Sequence, residues 1–358
     1  SYIGLGLMGE GLVDYNGGRF EAKEVFEKLG LKPIHFFAKD GLAVISSNAV
    51  SFSRLALLIP KIENLLYWFD LTCSLSLEAL GGNITPLDNV VVKSKKHSGQ
   101  VLSSQNFISA LKGSYLLSKK TKTVQDPLSF RNATLIHGAA YDSLTYVQEQ
   151  LTLELESSDD NPMVDIANQR ILSTPHFETI NISLAIEMLN VALSHVSNAS
   201  VQRMIKLGNP DFTGLSRFLI ADEHQYFGLQ ALQKTAATLD VEIHHSSQTL
   251  SNISYPLAGE MEDRQTNLPL ILQNLDGIVT KLQEILAIEL LYASQAIALR
   301  FPVNKPLGEL TGKVFQIIFD HNGTLQDHHK LYEVIGRISK DIDRLCIRTL
   351  FAKQELSA

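Results

Sequence analysis

Apolar residues recur at every third or fourth position over several long stretches of the chain. This spacing places them on one face of an α-helix. It predicts five helices, whose apolar positions are Leu58, Ile62, Leu65, Phe69, Cys73, Leu77 and Leu80; Ile136, Ala140, Leu144, Val147, Leu151 and Leu155; Ile182, Ile186, Leu189, Leu193 and Val196; Leu282, Leu286, Leu290, Ala293 and Ile297; and Leu331, Val334, Ile335, Ile338, Ile342 and Leu345. In Ser183–Leu193 and Leu286–Leu299, apolar and small residues also lie off that face, which predicts burial on more than one side. The chain is therefore predicted to be mainly α, with long antiparallel helices forming a central bundle.

The first 50 residues lack this long periodicity. They mix short strand-like or helical pieces with glycine-rich turns, and Glu21–Leu29 is predicted to form a short helix that ends at Gly30. We expect one mostly helical domain over residues 1–358, in which residues 1–50 form a smaller mixed segment that leads into the bundle. Because the sequence starts in mid-pattern at Ser1, without an initiator Met, we expect it to be the C-terminal part of a longer protein.

Composition and charge narrow the range of partners. Of the 358 residues, 45% are hydrophobic and 19% are charged, which is typical of a globular protein. The net charge of −7 argues against nucleic acid as a partner, because phosphate binding needs a basic surface. No apolar run approaches the ~20 residues of a membrane span, and no signal peptide is recognised. A cytoplasmic protein without a membrane partner is expected, with Cys73 and Cys346 as buried free thiols.

A Gln-Asp-Pro segment followed by an arginine is the first candidate for chemistry. In Gln125-Asp126-Pro127, the aspartate suits the position before a helix and the proline suits its first turn. Arg131 would then lie one turn into that helix, where its guanidinium can form a bidentate pair with the carboxylate of a small molecule. The alternative is a structural salt bridge with Glu154 or Glu156, and the bare sequence favours that alternative.

Two further polar segments lie downstream. Asp160-Asn161-Pro162 follows a predicted helix and is typical of a tight turn. Glu260 and Glu262 lie two positions apart in a segment marked by glycine and proline. A carboxylate there can accept a hydrogen bond from an ammonium group or transfer a proton. The alternative is an acidic loop in solvent.

Histidine pairs and glycine-rich stretches give no metal or nucleotide site. Adjacent residues on a helix point about 100° apart, so neither His244-His245 nor His328-His329 is expected to share a metal ion. The glycines at Gly9–Gly11 lack the strand–turn–helix setting of a phosphate-binding loop. We expect neither a metal nor a nucleotide cofactor.

The order of these motifs resembles the aromatic amino-acid ammonia-lyases and aminomutases, the family of the histidine and phenylalanine ammonia-lyases. The resemblance runs through essentially the whole chain. It is carried, in order, by Ile3–Gly11, Lys39-Asp40-Gly41-Leu42-Ala43, His97-Ser98-Gly99-Gln100, Gln125-Asp126-Pro127 with Arg131, Asp160-Asn161-Pro162, and Ile288-Glu289 with Gln295 and Arg300.

The resemblance implies a reaction and an assembly. In this family an Ala-Ser-Gly triad cyclises to a methylidene-imidazolone (MIO) group, which takes up the amine of an amino-acid substrate. A base then removes the β-proton, and ammonia leaves an α,β-unsaturated acid. The triad is expected a few residues before Ser1 and is not in this chain. The resemblance also implies a homotetramer, whose sites are completed by residues of neighbouring subunits.

The resemblance assigns eight positions to the site. The catalytic positions are Glu262, Gln125, Leu128 and Ser46, and the substrate-binding positions are Arg131, Phe177, His176 and Met261. Four of these depart from the family's pattern: Ser46 and His176 each replace an Asn, Leu128 replaces a Tyr, and Met261 replaces a Gln. A leucine can neither donate a hydrogen bond nor carry a proton.

Three functions remain open on this basis. The first is an ammonia-lyase for histidine or an aromatic amino acid, with a divergent site in which other groups, such as His176, act in place of the missing Tyr. The second is an MIO aminomutase, which returns the ammonia to the product. The third is a catalytically degenerate relative kept as a binding or structural protein. The retention of Arg131 and Glu262 favours catalysis.

Overall fold

The chain is mainly helical in a computed structural model, as the periodicity predicts. The structure describes residues 2–118, 124–222, 227–300, 306–325, 330–347, 349 and 351. Its contacts divide it into two compact units, a smaller one of Ser1–Arg54 with Thr152–Thr179 and a larger one of Leu55–Leu151 with Ile180–Ala358. The sequence did not indicate that residues 152–179 pack with the first 54 residues.

The smaller unit combines short helices with two hairpins. Its described elements are α1 (Tyr2–Leu7), β1 (Leu12–Tyr15), β2 (Gly18–Glu21), α2 (Ala22–Leu29), α3 (Asp40–Ile45), β3 (Met163–Asp165) and β4 (Arg170–Leu172). Strands β1 and β2 pair antiparallel, and so do β3 and β4. Helix α2 ends at Gly30, whose positive φ of 66° lets its N–H close the last turn. The predicted short helix and its end are therefore confirmed.

The other described helices lie wholly or mainly in the larger unit. They are α4 (Ala49–Leu80), α5 (Asn89–Ser94), α6 (Ser98–Ala110), α7 (Leu128–Arg131), α8 (Ala133–Leu155), α9 (Ile180–Leu207), α10 (Pro210–Thr213), α11 (Gln230–Ser246), α12 (Leu268–Arg300), α13 (Glu309–Asn322) and α14 (Leu331–Arg344). Helices α9, α11 and α12 pack against one another, and α14 packs on α12. All five helices predicted from the apolar spacing are present.

Helix α4 differs from its prediction in one respect. Its apolar residues indicated a single buried face, yet residues 65–79 are buried on every side. The reason is that polar side chains between the apolar ones, such as Asp70, Ser76 and Glu78, are buried as well. In α12 the predicted burial on more than one side is confirmed, since residues 285–297 are all buried.

The expectation about apolar length is wrong. Among the described residues, three helical stretches are long and apolar enough to cross a membrane by length and composition alone, namely Asp40–Leu80, Ile180–Leu207 and Leu268–Arg300. The apolar part of the last two is mostly buried within the protein, at 61% and 78%. Packing inside the protein therefore accounts for the apolar character of α9 and α12. In Asp40–Leu80, by contrast, 22% of the apolar part is buried within the protein.

The two cysteines lie in different surroundings. Both are free thiols, and Cys73 is buried in α4 as expected. Cys346 is exposed, which corrects the expectation that both thiols are buried. The pattern failed there because α14 ends at Arg344, so Cys346 does not lie on the buried face of that helix.

A buried polar cluster joins three helices of the larger unit. The fully buried carboxylate of Asp70 in α4 accepts hydrogen bonds from Ser103 Oγ at 2.6 Å and Asn106 Nδ2 at 2.7 Å, both in α6. It also accepts from Tyr141 Oη at 3.0 Å and lies 2.8 Å from His137 Nδ1, both in α8. Burial, and then the charge of Asp70, raise the pKa of Tyr141 well above its usual value, so the phenol stays a donor.

Helices α6 and α8 approach each other closely at two glycines. A Cβ on Gly99 would lie 2.1 Å from the carbonyl oxygen of Gly138, and a Cβ on Gly138 would lie 2.5 Å from the backbone nitrogen of Gln100. Nearby, Asp142 Oδ1 accepts from the backbone N–H of Gly99 at 2.7 Å and from Ser98 Oγ at 3.0 Å. In the larger unit, the His-Ser-Gly-Gln segment noted in the sequence is thus a contact between helices.

Gly138→Ala is expected to destabilise the protein by at least about 2 kcal/mol, because backbone atoms leave the new methyl group no space. Urea unfolding followed by circular dichroism measures the change. The matched control is Gly336→Ala in α14, where nothing lies within 4 Å of the added Cβ. That variant is expected to gain about 0.5–1 kcal/mol from helix propensity. Equal stability of the two variants would contradict the close approach.

Candidate functional site

The segment that carries Arg131 is a loop followed by one helical turn. Pro127 is the N-cap of α7, with an extended backbone at φ −52° and ψ 146°, and no side chain caps the helix. Asp126 does not cap α7 as predicted. Its Oδ2 accepts instead from the backbone N–H of Asn83 at 2.6 Å, just beyond the end of α4. The aspartate of the Gln-Asp-Pro motif therefore anchors the loop, because Pro127 itself occupies the N-cap position and Asp126 lies one residue before it.

Arg131 is the last residue of α7 and is half-buried. Within the described part of the larger unit, no acidic side chain forms an ion pair with its guanidinium. Glu154 and Glu156 belong to the smaller unit, so the salt-bridge alternative stays a prediction. An arginine without a protein carboxylate on its own unit is able to bind an external one.

Gln125 and Leu128 lie close to Arg131 along the chain. Gln125 is exposed, and the side chain of Leu128 is 55% exposed at the start of α7. Leu128 presents a methyl-bearing surface with no polar atom. The loop and the turn together therefore offer one amide and one cation, with an apolar side chain between them in the sequence.

Met261 and Glu262 lie in a loop between α11 and α12. The loop is anchored by the buried Glu187 of α9, whose carboxylate accepts from the backbone N–H groups of Leu250 at 2.5 Å and Ser251 at 2.9 Å. Further on, Leu257 and Glu262 pair through two backbone hydrogen bonds of 3.0 and 3.1 Å. Met261 is 84% exposed, and the Glu262 side chain is exposed too. The loop thus presents both side chains to solvent.

Ser46, His176 and Phe177 belong to the smaller unit. Ser46 follows α3, and two residues later Asn48 Nδ2 donates to the carbonyl oxygen of Phe177 at 3.2 Å. This bond brings the segment after α3 next to the segment that carries His176 and Phe177. Ser46 and His176 are exposed, and Phe177 is 49% exposed.

The Asp-Asn-Pro segment is tied to the Lys-Asp-Gly-Leu-Ala segment. Lys39 forms an ion pair with Asp160 at 2.5 Å and also donates to the carbonyl oxygen of Pro162. Asn161 Oδ1 accepts from the backbone N–H of Thr174 at 3.0 Å. These polar residues hold the smaller unit together, so the structure gives them a scaffold role within it.

The eight predicted site residues fall into two sets. The smaller unit brings Ser46, His176 and Phe177 into neighbouring segments. The larger unit contains Gln125, Leu128, Arg131, Met261 and Glu262 on two separate segments. Within its described residues, no hydrogen bond or ion pair joins Arg131 to Glu262. That the eight positions form one site remains a prediction.

The histidines that the structure describes belong to no cluster of metal-ligating side chains. Among the described residues, no group of three or more His, Cys, Asp and Glu side chains is placed to hold a metal ion. His244 Nδ1 lies 2.9 Å from the carbonyl oxygen of Asp240, one turn earlier in α11. The pair His328-His329 lies outside the described residues.

Comparison with known proteins finds matches to one family. Residues 1–319 match the sequence model of the aromatic amino acid lyase family. A histidine ammonia-lyase from Treponema denticola is 32% identical over 336 residues, which cover 94% of this chain and 66% of that protein.

Solved structures agree with this match. The crystal structure of ergothionase from T. denticola, an enzyme that degrades ergothioneine, superimposes with a TM-score of 0.89 at 35% identity, over 96% of this chain and 69% of that one. A phenylalanine aminomutase from Pantoea agglomerans superimposes with a TM-score of 0.86 at 25% identity, over 94% and 69%. The chain spans about two thirds of the length of such relatives.

Proposed function

Because this chain belongs to the aromatic amino acid lyase family, we propose that the full-length protein eliminates ammonia from histidine or an aromatic amino acid and leaves an α,β-unsaturated acid. The observation that carries the proposal is that Arg131 is half-buried and that its guanidinium pairs with no acid in the described part of its own unit. Such a group suits the carboxylate that every amino acid carries.

The roles of the other residues follow from their chemistry. Arg131 binds the substrate carboxylate and fixes the orientation of the β-carbon. Glu262, on its exposed loop, accepts a hydrogen bond from the substrate ammonium or takes a proton. Gln125 adds a neutral donor and acceptor in the loop that leads into the helical turn of Arg131. Phe177 and His176 provide ring surfaces for the side chain of the substrate.

The MIO group would supply an electrophile that activates the amine as a leaving group. It forms from an Ala-Ser-Gly triad, which this sequence does not contain. The side chains present do not complete its surroundings either, because Leu128 offers no polar atom and Ser46 only a short hydroxyl. They therefore do not fit the group as the resemblance implies.

A second candidate is the elimination of trimethylamine from ergothioneine, a histidine derivative whose amine nitrogen carries three methyl groups. Two observations favour it: the 35% identity to an ergothioneine-degrading enzyme, and the apolar Leu128 and Met261 at positions where the family has polar side chains. A base would take the β-proton, and the electron pair of the broken C–N bond would leave on trimethylamine. The quaternary nitrogen has no N–H to satisfy, so apolar neighbours suit it.

The test is a substrate panel with the full-length protein. Histidine, phenylalanine and ergothioneine are supplied separately, the conjugated acid is followed by its absorbance, and the released amine is identified by mass spectrometry. Ammonia from histidine or phenylalanine supports the proposal, and trimethylamine from ergothioneine supports the second candidate. A β-amino acid product would identify an aminomutase, and no product from any substrate would favour a non-catalytic relative.

Leu128→Tyr is expected to raise the rate of ammonia release. The tyrosine adds a phenolic donor with an ordinary pKa of about 10, at a position exposed enough to take the larger ring. The measurement is kcat for ammonia release. Leu128→Phe is the matched control, since it adds the ring without the hydroxyl. Equal effects of the two substitutions, or a lower rate with tyrosine, would mean that the site is built around Leu128.

A homotetramer remains part of the proposal. Helix α9 supports it, because Leu184, Met188 and Val191 recur at intervals of four and three and are between 41% and 51% exposed. An exposed apolar stripe on a long helix is typical of a surface covered by another subunit. A cytoplasmic location belongs to the same proposal.

A further inference from the structure

Helix α7 is too short to fix its own position. It has four residues and no side-chain cap, and a single helical turn is not stable in isolation. Its hydrogen bonds run from the backbone N–H groups of Phe130 and Arg131 to Pro127, and from Asn132 to Leu128. Contacts from elsewhere must therefore set the direction in which the side chain of Arg131 leaves the turn.

One such contact comes from a buried ion pair beneath the turn. Arg203 of α9 and Glu289 of α12 are both fully buried. They form a bidentate pair, with Nε at 2.6 Å from Oε1 and Nη2 at 2.8 Å from Oε2. Ser76 and Ser200 donate to the same carboxylate at 2.8 and 2.5 Å. The guanidinium is thus locked in one orientation by its partner and by the partner's other bonds.

The remaining arm of the guanidinium reaches α7. Nη1 of Arg203 donates to the carbonyl oxygen of Ser129 at 3.2 Å. Ser129 is adjacent to Leu128 and two residues before Arg131. Burial opposes the charged form of Arg203, but Cys73, Glu289 and Asp70 outweigh it and raise the pKa of the guanidinium above its usual value. A charged donor therefore points at the backbone of the turn.

We propose that Arg203, held by Glu289, is a positioning residue that fixes α7 and so aims Arg131 at the substrate carboxylate. This inference rests on the proposed function only for its effect on substrate. Replacement of a buried ion pair by apolar residues of similar volume is often neutral or stabilising, so stability alone does not explain the pair. The contact with Ser129 gives the pair a local task that an apolar pair cannot perform.

The test uses the double variant Arg203→Leu/Glu289→Leu in the full-length protein. It removes both charges of the pair together, so neither partner is left alone in the core, and it removes the donor to Ser129. We expect hydrogen–deuterium exchange at the amides of Phe130, Arg131 and Asn132 to become at least about tenfold faster. We also expect KM for the substrate found in the panel to rise about 10- to 100-fold, with a smaller change in kcat.

Two comparisons separate positioning from a general loss of stability. Arg203→Lys keeps a positive charge beside Glu289 but lacks the guanidinium group, whose Nη1 reaches Ser129 while Nε and Nη2 bind Glu289. It is therefore expected to raise the rate of hydrogen–deuterium exchange at the same three amides. Asn198→Ala, on the same helix, removes a 3.0 Å bond to Asp240 in α11 and is expected to leave those amides unchanged.

Separate outcomes test whether Arg203 fixes α7, whether it aims Arg131, and whether the proposed function holds. Wild-type exchange at these three amides in the double variant would overturn the proposal, whatever the activity. Faster exchange together with unchanged KM would show that α7 moves without consequence for substrate and would overturn the aiming role. Failure of the wild-type protein to convert any substrate would count against the proposed function alone, because the exchange measurement does not depend on turnover.

Discussion

Asp70→Ala is expected to destabilise the protein by about 3–5 kcal/mol, the largest loss for any single substitution considered. The carboxylate of Asp70 serves donors on two neighbouring helices, Ser103 and Asn106 on α6 and His137 and Tyr141 on α8. All of them are buried, so water cannot replace the lost acceptor. The loss is most costly at His137, because Nδ1 of its ring loses the bond to Asp70 and Nε2 has no hydrogen-bond partner among the described residues.

Equilibrium unfolding in urea measures this loss. Asp70→Asn is expected to be intermediate, because the amide keeps one acceptor oxygen. Asp14→Ala is the matched control: its ion pair with Arg19 is highly exposed on both sides, and solvent screens such pairs, so little change is expected. Unfolding of Asp70→Ala at the wild-type urea concentration would show that the cluster contributes nothing to stability.

Arg131→Ala is expected to weaken substrate binding by about 2–3 kcal/mol, or about 30- to 150-fold, while the free energy of unfolding stays nearly constant. The reason is that a charge-assisted bidentate contact with the substrate carboxylate is lost, whereas no ion pair within the described part of its own unit depends on Arg131. Isothermal titration with the substrate or product found in the panel measures the affinity, and urea unfolding measures the stability.

Two variants sharpen this result. Arg131→Lys is expected to recover only part of the affinity, because an ammonium cannot form the planar bidentate pair. Arg217→Ala removes an exposed arginine that lies over the ring of Phe218, and it is expected to leave affinity unchanged. Unchanged affinity of Arg131→Ala together with a large loss of stability would instead support the salt bridge with Glu154 or Glu156.

The long helices could be predicted because their apolar spacing reports the side that is buried. Helix α6 escaped this reasoning for a physical reason. Its buried positions are filled largely by polar side chains, among them Gln100, Ser103, Ser104 and Asn106. Of these, Ser103 and Asn106 bond to Asp70, and Ser104 bonds to the helix backbone. Where burial is achieved by hydrogen bonding, hydrophobic periodicity disappears from the sequence.

The site shows the same limit. The segment around Arg131 was recognisable from its motif, but the role of Asp126 was not, because its partner Asn83 lies far away in the chain. Arg203 was missed as well, and its one signal is a charge between the apolar Val201 and Met204 of a long helix. Such a charge indicates a buried partner, while the identity of that partner depends on how the helices cross.

The unequal surroundings of the two cysteines have a practical consequence. Burial raises the pKa of the Cys73 thiol to about 12, so at neutral pH it holds almost no thiolate and has little access to reagents. Cys346 is exposed just beyond the end of α14. Over this sequence, the native protein therefore carries a single attachment point for a maleimide dye or spin label. A probe at that point requires no substitution in the rest of the chain.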